Sequence, residues 1–159
     1  MDDLLICREL AEVLSNSAPE SPYADLFAAV PNIFPGQAAD DVARPTLTIT
    51  GEFQPFIGGR KGTVTFELRS RTGDSGDGEH KAAFWLLFAA LLGEEGADNA
   101  ATAASRAAAL ATLKAAVAAR GNAAVVAMGP ARDTVESTFD EKDLISRLQL
   151  MLAWRGTPA

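Results

Sequence analysis

Thr46-Leu47-Thr48-Ile49-Thr50 and Thr63-Val64-Thr65-Phe66-Glu67-Leu68-Arg69 alternate apolar and polar side chains with the two-residue period of half-buried strands. Leu47 and Ile49 in the first run, and Val64, Phe66 and Leu68 in the second, fall on one face. Threonines and charges fall on the other, so one side of a sheet has to be covered. Between the runs stands Gly51-Glu52-Phe53-Gln54-Pro55-Phe56-Ile57-Gly58-Gly59-Arg60-Lys61-Gly62, which predicts a protruding hairpin loop over 51–62. A loop of that length exceeds what turn closure requires. It also carries Phe53, Phe56 and Ile57, whose apolar surface needs a partner, beside the cations Arg60 and Lys61. The loop therefore reads as an interaction arm, with a fold-back onto its own core as the alternative.

Outward from the hairpin, the chain punctuates itself clearly. Leu5, Ile6, Leu10, Val13 and Leu14 lie at helical spacing between Asp2 and Ser15. Ser21-Pro22 can cap a short helical turn through Leu26 and Phe27, which Pro31 and Pro35 end. The segment from Gly36 to Arg44 is a polar connector, and 71–78 is a glycine-rich polar linker. Two helices follow. The first, Glu79 to Leu92, is apolar nearly all round, with Trp85, Leu86 and Leu92 outside its main stripe of Phe84, Leu87, Phe88 and Leu91. The second, Ala97 to Arg120, is mostly alanine, with Gly121-Asn122 as its stop.

Ala123 to Met128 predicts a buried strand closed by Gly129-Pro130, and Thr134 to Phe139 a short further strand. From Leu144 to Trp154 the apolar positions fit either a strand or a helix. Strand is favoured, because Ser146, Arg147 and Gln149 are easier to place in a half-buried sheet. The order of elements predicts a single α+β domain over 1–159, a largely antiparallel sheet with helices packed on one face, and a flexible tail at 156–159.

Composition narrows the function. The chain has 159 residues, enough for one core, with 48% hydrophobic and 22% charged residues. Its formal charge of −7 opposes a groove built to neutralise phosphates. Glu67, Arg69 and Arg71 share a strand face and read as a solvated charge pattern. The single cysteine, Cys7, lies in an amphipathic helical pattern and reads as a core residue. The opening Met1-Asp2-Asp3 is acidic where a secretory signal is basic, so a cytosolic site of synthesis is expected. The apolar run from Ala82 to Leu92 falls short of the roughly 20 residues of a membrane span.

Chemistry is poorly represented. The one histidine, His80, stands in Asp77-Gly78-Glu79-His80 at a helix start, where it reads as an exposed first-turn residue. A pocket between sheet and helices near His80, with Asp77 and an arginine, is the alternative that would make the chain a small-ligand-binding domain or an enzyme. Gly58-Gly59-Arg60-Lys61-Gly62 has the composition of a phosphate loop but is followed by a strand rather than a helix. No Gly-x-Ser-x-Gly elbow is present. Carboxylates at Asp40 and Asp41, or at Asp140, Glu141 and Asp143, sit in polar connectors. No catalytic set, metal site or cofactor is nominated, and a non-catalytic interaction adaptor is a third reading.

The element order resembles that of the small tail-terminator, or tail-completion, proteins of long-tailed bacteriophages and prophages. The likeness is carried by the N-terminal helix with Leu5, Ile6, Leu10 and Leu14 and by the hairpin from Pro45–Ile49 to Val64–Leu68. The helical pair, the strand Ala124 to Met128 and the final strand Leu148 to Trp154 complete it. It is a pattern over most of the chain rather than a motif. The resemblance implies a homohexameric ring that caps the tail tube and meets the head-completion protein, with DNA only as passing cargo and no catalysis or membrane. It places the protein in the bacterial cytoplasm during assembly and in the virion tail afterwards. The residues expected at subunit or partner contacts are Phe53, Phe56, Ile57, Arg60, Lys61, Trp85 and Leu92.

Overall fold

In the computed structural model, which describes residues 3–36, 43–71, 76–139 and 143–156, the two strand runs extend far beyond their alternating cores. β2 spans Thr46–Phe56 and β3 spans Gly59–Arg71, and they pair antiparallel from Thr46↔Arg69 to Phe56↔Gly59. The loop expected over 51–62 is thus two paired strands joined by Ile57-Gly58. Gly58, at φ 92°, takes the left-handed conformation that the turn requires. Gly62 is a strand residue because β2 passes so close that a Cβ there would collide with the Glu52 carbonyl. Glycines that compose a loop on paper are places where strands approach closely.

The hairpin does not protrude as an arm. β3 also pairs antiparallel with β5, Asp143–Gly156, from Arg60↔Trp154 to Arg71↔Asp143. β5 in turn pairs with β4, Ala123–Phe139, and β2 pairs in parallel with the short β1, Asn32–Pro35. The sheet order is β1-β2-β3-β5-β4, largely antiparallel as expected. The final segment is the strand the alternation favoured.

Two departures have physical reasons. The short helix ends before Pro31 as expected, but β1, a strand the sequence reading did not include, runs from Asn32 to Pro35, which sits on an edge where a missing N–H breaks no ladder. Gly129-Pro130 does not close its strand. β4 continues through it by two register shifts, between Val125 and Ala127 and between Pro130 and Val135.

Four helices lie in the described residues: α1 (Leu4–Leu14), α2 (Ala24–Ala29), α3 (Gly76–Leu92) and α4 (Asn99–Ala119). Asp98 caps α4 by accepting the Ala101 N–H at 2.8 Å. Ile6, Leu10, Val13 and Leu14 of α1, Leu87 and Leu91 of α3, and Leu113 and Val117 of α4 are buried together with Leu47, Ile49, Val64, Phe66, Leu148 and Leu150. Helices therefore cover the sheet face that the sequence marked as apolar. Cys7 is buried in α1. Buried Glu9 ties α1 to the end of α4, accepting from Arg120 Nε at 2.5 Å and from Asn122 Nδ2 at 2.9 Å. The charged pair supplies the polar partners a buried carboxylate needs. Parts of the expected connector (37–42), linker (72–75) and tail (157–159) lie outside the described residues, as do Asp40, Asp41, Asp140 and Glu141.

Candidate functional site

The seven expected contact residues separate into two groups. Phe53 is only 8% exposed and sits edge-on to Trp154, ring centroids 5.7 Å apart at 78°. Its alternation with Leu47 and Ile49 along β2 carries it to the covered face, so it is a core residue and the fold-back alternative holds for it. Leu92 is 2% exposed and also belongs to the core. It closes α3 against the body instead of facing outward. Arg60 is half-buried, ion-paired with Asp3, and donates from Nη2 to the Phe53 carbonyl at 3.2 Å.

Phe56, Ile57, Lys61 and Trp85 remain at the surface. Ile57 is 99% exposed at the turn, Phe56 is half-buried beside it, and Lys61 is exposed on the uncovered sheet face. Trp85 is 66% exposed on α3 and stacks edge-on with Phe88, centroids 5.7 Å apart at 70°. The structure does not unite them in one patch. The tip belongs to the end of the sheet, and Trp85 to the helical layer that covers its other face.

The sheet face away from the helices holds a feature the sequence reading missed. Near the hairpin end this face forms a cleft of about 790 Å³, lined in part by Glu52, Lys61, Thr63, Ala127, Gly129 and Met151. Met151 is 57% exposed and stands in register between Thr63 of β3 and Gly129 of β4. With no side chain at Gly129, the space beside Met151 is open, and a Cβ there would meet nothing within 4 Å. The signal was present: once Leu148, Leu150 and Leu152 point inward, Met151 has to point outward.

Both sheet edges resist extension. β4, the long edge, carries Pro130 and two register shifts, and β1 has only four residues. Where β1 stops short of β2, Pro55 offers no N–H and Arg60 occupies the Phe53 carbonyl. The surfaces of this sheet left open are its uncovered face and its tip.

At the opposite end of the same face, Glu67, Arg69 and Asp143 form a chain of ion pairs with Arg44 and Arg147. Glu67 accepts from Arg69 Nε at 2.6 Å and from Arg147 Nε at 2.8 Å, and Asp143 faces Arg44 at 3.3 Å and Arg69 at 3.4 Å. Glu67 and Arg69 were expected to belong to a simply solvated face. Instead the ion pairs bind β3, β5 and the residues before β2 together. Burial works to raise the Glu67 carboxyl, but hydrogen bonds and charge from Arg69 and Arg147 outweigh it and hold the group below its ordinary value. The Glu67 hydrogen bond is the main cause that raises Arg69.

His80 is buried, not an exposed first-turn residue. Its Nδ1 lies 2.8 Å from Ser70 Oγ and its Nε2 2.9 Å from Ser146 Oγ, so the imidazole pins α3 to β3 and β5. A pocket of about 330 Å³ adjoins it, walled by Arg44, Arg71, Ser70 and Glu79. The Asp77 side chain, expected there, lies outside the described residues. Among the described residues no three His, Cys, Asp or Glu side chains converge as metal ligands, and no helix is long and apolar enough to cross a membrane.

The fold and its surface define a class: a two-layer α+β domain with one sheet face covered by helices and the other partly bare. Compared with protein-family models and with curated proteins, the chain matches no family model and no curated sequence.

Proposed function

We propose that this chain is a structural assembly protein that acts as phage tail terminators do, its copies forming a ring that caps a tail tube and joins it to the head. The observation that carries the reading is the pairing of an exposed apolar tip, Ile57, with a bare, partly apolar sheet face at Met151, in a sheet whose edges are blunted. An exposed knob beside a separate exposed recess allows a head-to-tail contact, which closes into a ring when the rotation permits. Trp85 supplies a second apolar surface, on the helical layer, for the tube or the head-completion protein.

The experiment is particle assembly with Phe56→Asp in the parent element. The reading predicts a folded protein, with tails that fail to join heads or that vary in length. Normal joined virions from a soluble variant overturn it. The reading also places the gene beside those for a tail tube and a tape measure, and a neighbourhood with neither counts against it.

The pocket beside His80 supports a small-ligand reading less well. Both ring nitrogens already meet serine hydroxyls, so the imidazole is spent on holding α3 to the sheet.

A further inference from the structure

We propose that the cleft around Met151 is the socket for the hairpin tip of a second copy of this chain, an inference that rests on the ring reading above and names the contact within it. The tip, Pro55-Phe56-Ile57-Gly58-Gly59, is uncharged and ends in a side chain that is almost wholly exposed. The cleft offers Ala127, Gly129 and Met151 as an apolar floor, open because Gly129 contributes no side chain. Charge selects the same occupant. Glu52 and Lys61 are both exposed on the rim, and neither forms an ion pair among the described residues. Lys61 pairs in register with Gln54, two positions behind Phe56, about 7 Å back along the hairpin. When the tip of one copy enters the cleft of the next, Lys61 of the inserted hairpin is carried toward Glu52 of the receiving copy. Each copy uses its tip on one neighbour and its cleft on the other, so the contact is heterologous and leaves no unsatisfied copy in a closed ring.

Paired single-cysteine chains test this, each with the buried Cys7 replaced by alanine. Ile57→Cys mixed with Ala127→Cys is expected to form the mixed disulfide at least about tenfold faster than Ile57→Cys mixed with Ala104→Cys on the exposed face of α4. Crosslinking at that rate supports the socket whether or not the ring persists at the concentration used. Complementation gives a second readout. Ile57→Asp destroys the tip and Gly129→Trp fills the cleft, so each variant alone loses the oligomer, while a mixture recovers a dimer with one intact contact. A wild-type chain that assembles without preferential crosslinking, or that is unaffected by Gly129→Trp, overturns the socket and leaves the ring reading standing. A chain that neither crosslinks nor assembles overturns both.

Discussion

Phe53 packs edge-on against Trp154, centroids 5.7 Å apart, across a sheet in which the two side chains come from β2 and β5 with β3 between them. This contact converts the middle of an apparent loop into core. Phe53→Ala is expected to cost about 3–5 kcal/mol, the range for emptying a buried aromatic site. Ile57→Ala, at the exposed turn four residues past Phe53, is expected to leave the stability of the dissociated chain within about 0.5 kcal/mol. Urea unfolding of the two variants separates them, and equal losses would show that the tip is also packed.

The same geometry distinguishes the two tryptophans. Trp154 is fully buried and Trp85 is exposed. Trp85→Phe should leave a blue-shifted emission resistant to acrylamide, and Trp154→Phe a red-shifted, quenchable one. On the proposed reading, adding a tail tube or head protein should shift Trp85 emission to the blue; no shift with either would contradict a contact through the helical layer.

Much of this was legible in the residues, because a period of two is a property of side chains and survives without coordinates. Leu47, Ile49, Val64, Phe66 and Leu68 read as one covered face and lie there. The misreading of 51–62 came from glycine and proline, which mark turns by their backbone freedom but also mark close strand approach and blunted edges. Gly62 is there because β2 runs against it, a relationship between residues ten apart that composition does not carry. Leu92 was misplaced because α3 is apolar nearly all round, and such a helix does not declare which side is outward. His80 hides for a related reason: its serine partners are 10 and 66 residues away.

Glu67 gives the fold a pH dependence. Its carboxyl is held below the ordinary value of 4.5 in the folded chain, so its contribution is complete above that pH and is lost as pH falls through the lower folded value. Glu67→Gln is expected to cost about 1 kcal/mol at neutral pH. In chemical denaturation the difference from wild type should shrink below pH 4.5. A gap that stays constant into strong acid contradicts the ion-paired assignment.

Tyr23 works in the opposite direction. Burial pushes its phenol from 10.0 up to about 12, and its hydroxyl has no hydrogen-bond partner among the described residues. With the folded value raised, stability is retained below pH 10 and declines as pH rises toward 12. Tyr23→Phe removes an unpaired buried hydroxyl, so it should be neutral or stabilising by up to about 1 kcal/mol at neutral pH. It should also abolish this part of the alkaline loss. Thermal melts at neutral and alkaline pH check both.

The central claim is that this chain closes on itself through the tip of its hairpin. Native mass spectrometry of the wild-type chain and of Ile57→Asp, across a concentration series, tests it most directly. The account predicts one discrete closed oligomer for the wild type and a folded monomer for the variant, which still melts cooperatively but no higher than the wild type. A wild type that is monomeric throughout, or an Ile57→Asp chain that forms the same oligomer, contradicts it.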